Sequence, residues 1–523
     1  MYHRSPAPAI IGSVVAAAVV FGLPWIFWGH QLQHGLARAF TGGAYVAIPL
    51  IVAAIVAVAF FIGIFAELRA LLWSALTVFI LGGLATVAFA WVPHNYQVDR
   101  LYVADVKTVN HTAPAFGERT PFDIADTSST KNLGNTTGTA MNVKSLNDEG
   151  DHGLWDALVV RRGFGVGYES VQVQDIPLFG EATPSDVKTC DFSRSSKLRL
   201  GGVLWGNDLR RAIYAKTPAT VTFDDNDAYG YCDGKTPMVV VPLTQVQGFW
   251  TASENFYGDA VLNGKTGVLS IVQSEKKIAN LPGPVYPQTL AANQRSALRA
   301  LGSFSDYWFD RAGYGDTSDD DGNPDSFNPT ELGLRQESNN HATYVTPLTP
   351  PGSSHSVVAL SVVDASVGTP GDRNPIQVFK YEKSNARQAN SSVASSIKQS
   401  SSWLTGWASG LKIFEIVPAK KNEWVASIGQ SQGVVYRAVV NADGKSTLYD
   451  ENGNIVTSTG TQAAGNSSNH SSNDSSVGDA GAADGDLSKM TPAQLQALAN
   501  RILGELAKRA DQPAPTSSAT PGK

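Results

Sequence analysis

Cysteine is nearly absent. The 523-residue chain carries only Cys190 and Cys232, and neither has a second cysteine close in sequence. That excludes a CxxC redox pair and a cysteine-rich metal knuckle. Charge is scarce as well: 16% of residues are Asp, Glu, Lys or Arg, against about 25% in an ordinary soluble domain. The 40 basic and 46 acidic residues leave a net charge of -6. Nucleic-acid binders usually carry a concentrated basic patch, so no nucleic-acid partner is expected. The pairs Arg161-Arg162 and Lys420-Lys421 also lack the interleaved aromatics on which single-stranded bases stack.

The chain is rich in long apolar runs near its start. Residues 9–28, 44–66 and 70–92 contain no Asp, Glu, Lys, Arg or His, and about 20 helical residues match a hydrocarbon thickness of roughly 30 Å. These runs predict three transmembrane helices within residues 1–93, and hence the lipid bilayer as a partner. Trp25, Trp28, Trp73 and Trp91 near the run ends read as headgroup anchors. Aromatic residues stand where a removed signal peptide would need small cleavage-site residues. Intramembrane charge usually marks ion or substrate pathways, and its absence here argues against a pump or secondary transporter.

An odd number of spans separates the N-terminus from the remainder. Arg4 and Arg69 against Arg38 and Arg100 give no clear charge bias, so the cysteines decide the orientation. A lone pair in one soluble region reads most simply as a disulfide, Cys190 to Cys232, in an oxidising compartment. The expectation is a multi-pass protein of the cell membrane, its N-terminus cytoplasmic and its large C-terminal region extracytoplasmic. Two unrelated buried thiols are the alternative.

The soluble region reads as β-rich helix-on-antiparallel-sheet modules, making the fold class membrane-anchored α+β. A strand is expected over Asp99 to Val109, followed by a Thr/Asn/Gly-rich stretch to Glu149 with no clear period. Met238 to Thr244 followed by Ala260 to Ile271 matches Ala342 to Thr349 followed by Val357 to Asp364. A looser third copy begins at Trp424. These matches suggest an internal repeat of antiparallel meanders. Helices are expected before the second and third copies, over Leu290 to Phe309 and Ala386 to Leu411. The predicted modules are 94–274, 275–385 and 386–457. Residues 458–488 form a Ser/Asn/Gly-rich linker too poor in apolar surface to fold. Residues 489–510 predict an amphipathic helix with Leu495, Leu498, Ile502 and Leu506 on one face, either a docking surface for a protein partner or a second copy, or a marginal helix with no partner. The tail 511–523 reads as disordered.

The most suggestive polar cluster is Asp319, Asp321, Asn323 and Asp325, oxygen donors around the turn at Gly322. It could hold Ca²⁺ as an irregular loop, although EF-hand spacing fails because Thr317 and Asn328 occupy positions that should be acidic. A solvated acidic loop without any cofactor is the commoner outcome. Gly429-Gln-Ser-Gln-Gly433 matches the nucleophile-elbow string, but a strand follows it where a helix is required. His341 and His355 lack a third ligand. Trp250, Phe256, Tyr257, Tyr307, Trp308 and Phe309 are core candidates; exposed together, they would mark a binding surface. The sequence therefore favours an anchored extracytoplasmic binding, sensing or assembly protein of a bacterial-type envelope over an enzyme, with no catalytic residue identified. The alternatives are an accessory subunit of a larger membrane complex and an envelope enzyme without a recognisable motif.

Overall fold

The computed structural model describes residues 69–85, 91–316 and 332–462 apart from short gaps, with isolated positions nearer the N-terminus, 31–35 among them. Residue contacts divide the chain into Met1–Ala464 and Gly465–Lys523, and the second unit lies outside the described residues. So does the expected helix bearing Leu495, Leu498, Ile502 and Leu506.

The expectation of three membrane spans is overturned. Residues 9–28 and 44–66 lie almost wholly outside the described residues. The run 70–92 does not form the expected single helix. The described helix Arg69–Ala85 has 17 residues, a rise of about 25 Å against roughly 30 Å of hydrocarbon. A separate helix, Trp91–Tyr102, takes up the end of the run. Among the described residues no helix is long and apolar enough to cross a membrane.

The helix Trp91–Tyr102 also replaces part of the expected strand over 99–109, of which only Lys107–Val109 is extended. Val98, Tyr102 and Val106 recur every four residues. They pack with Val103 against Ile278, Leu290 and Leu298, which is helical rather than alternating burial.

Four larger sheets, mainly antiparallel, and a two-stranded pairing of Ser356–Val357 with Arg387–Gln388 carry the rest. The first runs Gly138–Leu146, Leu154–Arg161, Tyr168–Asp175 and Asp186–Asp191 in meander order. Period-two alternation splits its second strand: Trp155 and Ala157 join one core, Leu158 the other. The helix Phe122–Lys131 buries Ile124, Ala125, Ser128 and Ser129 on the Trp155 side. Its serines meet Gln174 of the sheet, Ser128 Oγ donating to Gln174 Oε1 at 3.0 Å. On the Leu158 side lies the second sheet, centred on Thr236–Gln247 and Ser253–Asn263, with the helix Leu209–Tyr214 in the same core.

The third sheet places Ala342–Thr349 between Leu332–Arg335 and Ala359–Asp364, with Gln377–Lys380 beyond. Lys107–Val109 adds to it in parallel. One face packs under the helical segment 288–301, and the other buries Leu332, Leu334, Val345 and Leu360. The fourth sheet is a meander from Lys412–Pro418 to Gly460–Gln462. It is covered by Val393, Ala394 and Ile397 of the helix Asn390–Ser400. The single helix expected over 386–411 is thus broken: Arg387–Gln388 is a strand, and Gly410, at φ 103°, closes a 3-10 turn after the helix.

Near the N-terminus, the helical residues 31–35 dock on the second core. The His34 ring stacks on Tyr214 with centroids 3.9 Å apart, and Gln31 Nε2 donates to Asp208 Oδ2 at 3.0 Å.

Candidate functional site

A cleft of about 200 Å³ opens where the edge strand of the first sheet meets the third sheet and the start of the helix Gln288–Ser296. Phe122, Val143, Pro284, Leu334 and Tyr344 supply apolar wall. Three cations line it as well, Arg119, Lys144 and Arg335; among the described lining residues none is acidic.

Arg119 precedes the helix Phe122–Lys131 and is held on two sides. Its Nη2 donates to Glu415 Oε1 at 3.0 Å, and its guanidinium carbon lies 4.8 Å from the Trp155 ring centroid. Glu415 is buried and also accepts from the Phe122 backbone N–H at 2.9 Å. Two donors remain unused. Arg119 Nε and Trp155 Nε1 are both buried and have no hydrogen-bond partner among the described residues. Such groups are uncommon in native proteins, because an unmet buried donor costs about 1–3 kcal/mol.

Lys144 sits beside Asp156 in the strand register, just after an extra residue between Met141 and Lys144 that bulges the edge strand. Asn142 takes up the bulge at φ 56°. The residue is partly accessible, and its Nζ donates to Gln288 Oε1 at 2.7 Å. Burial lowers its pKa, opposed by the charges of Asp227, Asp156 and Asp224. Behind it, burial pushes Asp227 up to about 6, with Lys144 and hydrogen bonds from Thr289 pulling the other way. Burial raises Asp156 well above the ordinary carboxylate range, although Gly230 N–H donates to its Oδ2 at 2.6 Å. Acidic side chains therefore stand near Lys144 outside the lining, while basic side chains line the cleft.

Of the residues singled out by sequence, the structure joins Cys190 to Cys232, with Cα atoms 6.0 Å apart. The bond ties the last strand of the first sheet to Tyr229–Asp233 of the second. Asp319, Asp321, Asn323 and Asp325 lie outside the described residues, as does His355. Among the described residues, no three His, Cys, Asp or Glu side chains are grouped to hold a metal. His341 Nδ1 sits 3.2 Å from Asp364 Oδ2. Gly429 and Gly433 flank a strand-to-strand connection, paired within the fourth sheet. Of the six aromatics, Trp250 lies outside the described residues, Phe256 is fully buried, and Trp308 and Phe309 are exposed, the Trp308 ring 6.0 Å from that of Phe304.

Arg119, Lys144 and Trp155 were not singled out. One signal was available: Asp156 interrupts the apolar run Leu154-Trp-Asp-Ala-Leu-Val-Val160, and an acidic group inside a buried strand needs polar partners nearby.

The comparisons are negative. No protein-family model, no curated protein and no solved structure matches this chain.

Proposed function

We propose that the chain is an extracytoplasmic binding module of a cell envelope, and that the cleft is its ligand site. The observation that carries the reading is the convergence there of separate elements on apolar wall, three cations and two buried donors without partners among the described residues. Pockets of this kind, mostly apolar with a few convergent polar groups, are the usual form of small-molecule sites. The Cys190–Cys232 bond supports an oxidising compartment. Native mass spectrometry of the full chain purified from its own cells tests the site. A bound small molecule is expected, and Ser145→Trp, which fills the cleft from its edge strand, should remove it. A chain that carries no adduct overturns the reading. Thiol labelling of intact cells tests the compartment: an impermeant reagent should reach the two cysteines only after reduction.

A second reading, an accessory subunit of a larger assembly, is favoured by exposed apolar surface. Trp73 and Leu81 of the helix Arg69–Ala85 are 69% and 61% exposed, and Phe304, Trp308 and Phe309 form another exposed group. Large exposed apolar patches usually mark interaction surfaces. Photo-crosslinking from position 308 in cells should capture one discrete partner under this reading, and no adduct would sink it.

A further inference from the structure

We infer that the cleft takes a small carboxylic acid with an apolar body; the inference rests on the cleft being a ligand site. Charge is the first argument. Arg119, Lys144 and Arg335 line the cleft, and no acidic side chain does so among its described lining residues. Glu415 holds Arg119 at 3.0 Å, and Gln288 Oε1 accepts from Lys144 Nζ at 2.7 Å.

Hydrogen bonding is the second argument. Trp155 is 1% exposed and its indole can only donate. Arg119 has committed Nη2 to Glu415, and its Nε is buried without an acceptor among the described residues. The guanidinium lies over the indole, so both unmet donors belong to neighbouring groups. Both residues line the cleft, so a ligand that brings an acceptor oxygen and parts the side chains covering these nitrogens relieves both, and a carboxylate offers two oxygens that accept without donating. An alcohol provides one weaker acceptor, and an ammonium would add a fourth cation.

The walls give the third argument. Phe122, Val143, Pro284, Leu334 and Tyr344 provide apolar surface with which an alkyl or aryl body can exchange water. In a volume of about 200 Å³ the partner is a small molecule, not a polymer.

Isothermal titration of the full chain with octanoate, octanol and octylamine tests the inference. Octanoate should bind, octanol at least tenfold more weakly, and octylamine not at all. Trp155→Phe keeps the ring and removes the N–H; it should weaken octanoate binding about tenfold, the size of a charge-assisted hydrogen bond. Lys144→Met, at a partly accessible position, should weaken it similarly and guards against a folding defect at Trp155. Ser145→Trp should abolish the heat. Octanol or octylamine binding as tightly as octanoate, with both lost in Ser145→Trp, would overturn the acid preference and leave the ligand site standing. Octanoate heat unchanged by Ser145→Trp would overturn both.

Discussion

Arg119 joins two parts of the molecule that are far apart in sequence: its guanidinium covers the Trp155 ring at 4.8 Å and its Nη2 reaches Glu415 Oε1 at 3.0 Å. Glu415 closes the link by accepting from the Phe122 backbone. Removing one partner of a buried ion pair leaves the other charge desolvated, at about 3–5 kcal/mol. Glu415→Ala should therefore lower the unfolding free energy by that amount, read as a lower midpoint in denaturant melts. Arg119→Lys should cost less, since an ammonium keeps the charge but loses the planar contact with the ring. Equal midpoints for Glu415→Ala and the parent would show that the pair contributes nothing.

Asp227 makes stability depend on pH with a definite sign. Its folded value of about 6 exceeds the usual 3.8, so between those values the folded chain binds more protons than the unfolded one. Its contribution is therefore favourable at low pH and is lost as pH rises through about 6. The span corresponds to about 3 kcal/mol. Asp227→Asn should gain that much on the parent between pH 3.5 and pH 7. A difference that does not change with pH would refute the assignment.

The disulfide closes a separation of 42 residues, worth about 4 kcal/mol in the loop-entropy description. Cys190→Ser with Cys232→Ser should lower the unfolding free energy by roughly that figure. Reductant should do the same to the parent and nothing to the double variant.

Gly283 lies flat against a buried ring. A Cβ there would come within 2.3 Å of Tyr229 Cε2, and Tyr229 is fully buried. Gly283→Ala should cost about 1–3 kcal/mol through overpacking. Because Pro284 lines the cleft, ligand affinity should fall with it. Thermal unfolding with and without ligand separates the two effects.

Much of the strand content was legible because apolar alternation is local. Met238 to Thr244 and Ala342 to Thr349 fall within strands, and the turns at Gly444 and Gly453 carry the positive φ that Asp-Gly and Asn-Gly favour. The cysteine pairing was legible from scarcity alone. The helix Phe122–Lys131 was not, because it buries Ser128 and Ser129 through Gln174 rather than through an apolar stripe. Apolarity also misled: the run 70–92 looks uniform in composition, yet its end belongs to a helix of mixed polarity whose later residues pack on the segment 288–301. The cleft depends on Arg119, Lys144 and Gln288 meeting across long separations, and no local period encodes that.

The stacking of His34 on Tyr214 sets a boundary for anyone trimming the gene. An expression fragment begun at residue 94 would strip away the turn that shields Tyr214, and with it the contacts to the Val221 carbonyl at 2.9 Å and to Asp208. The freshly bared aromatic face would invite clumping, so truncated versions should keep residues 31–35 or supply them as a separate peptide.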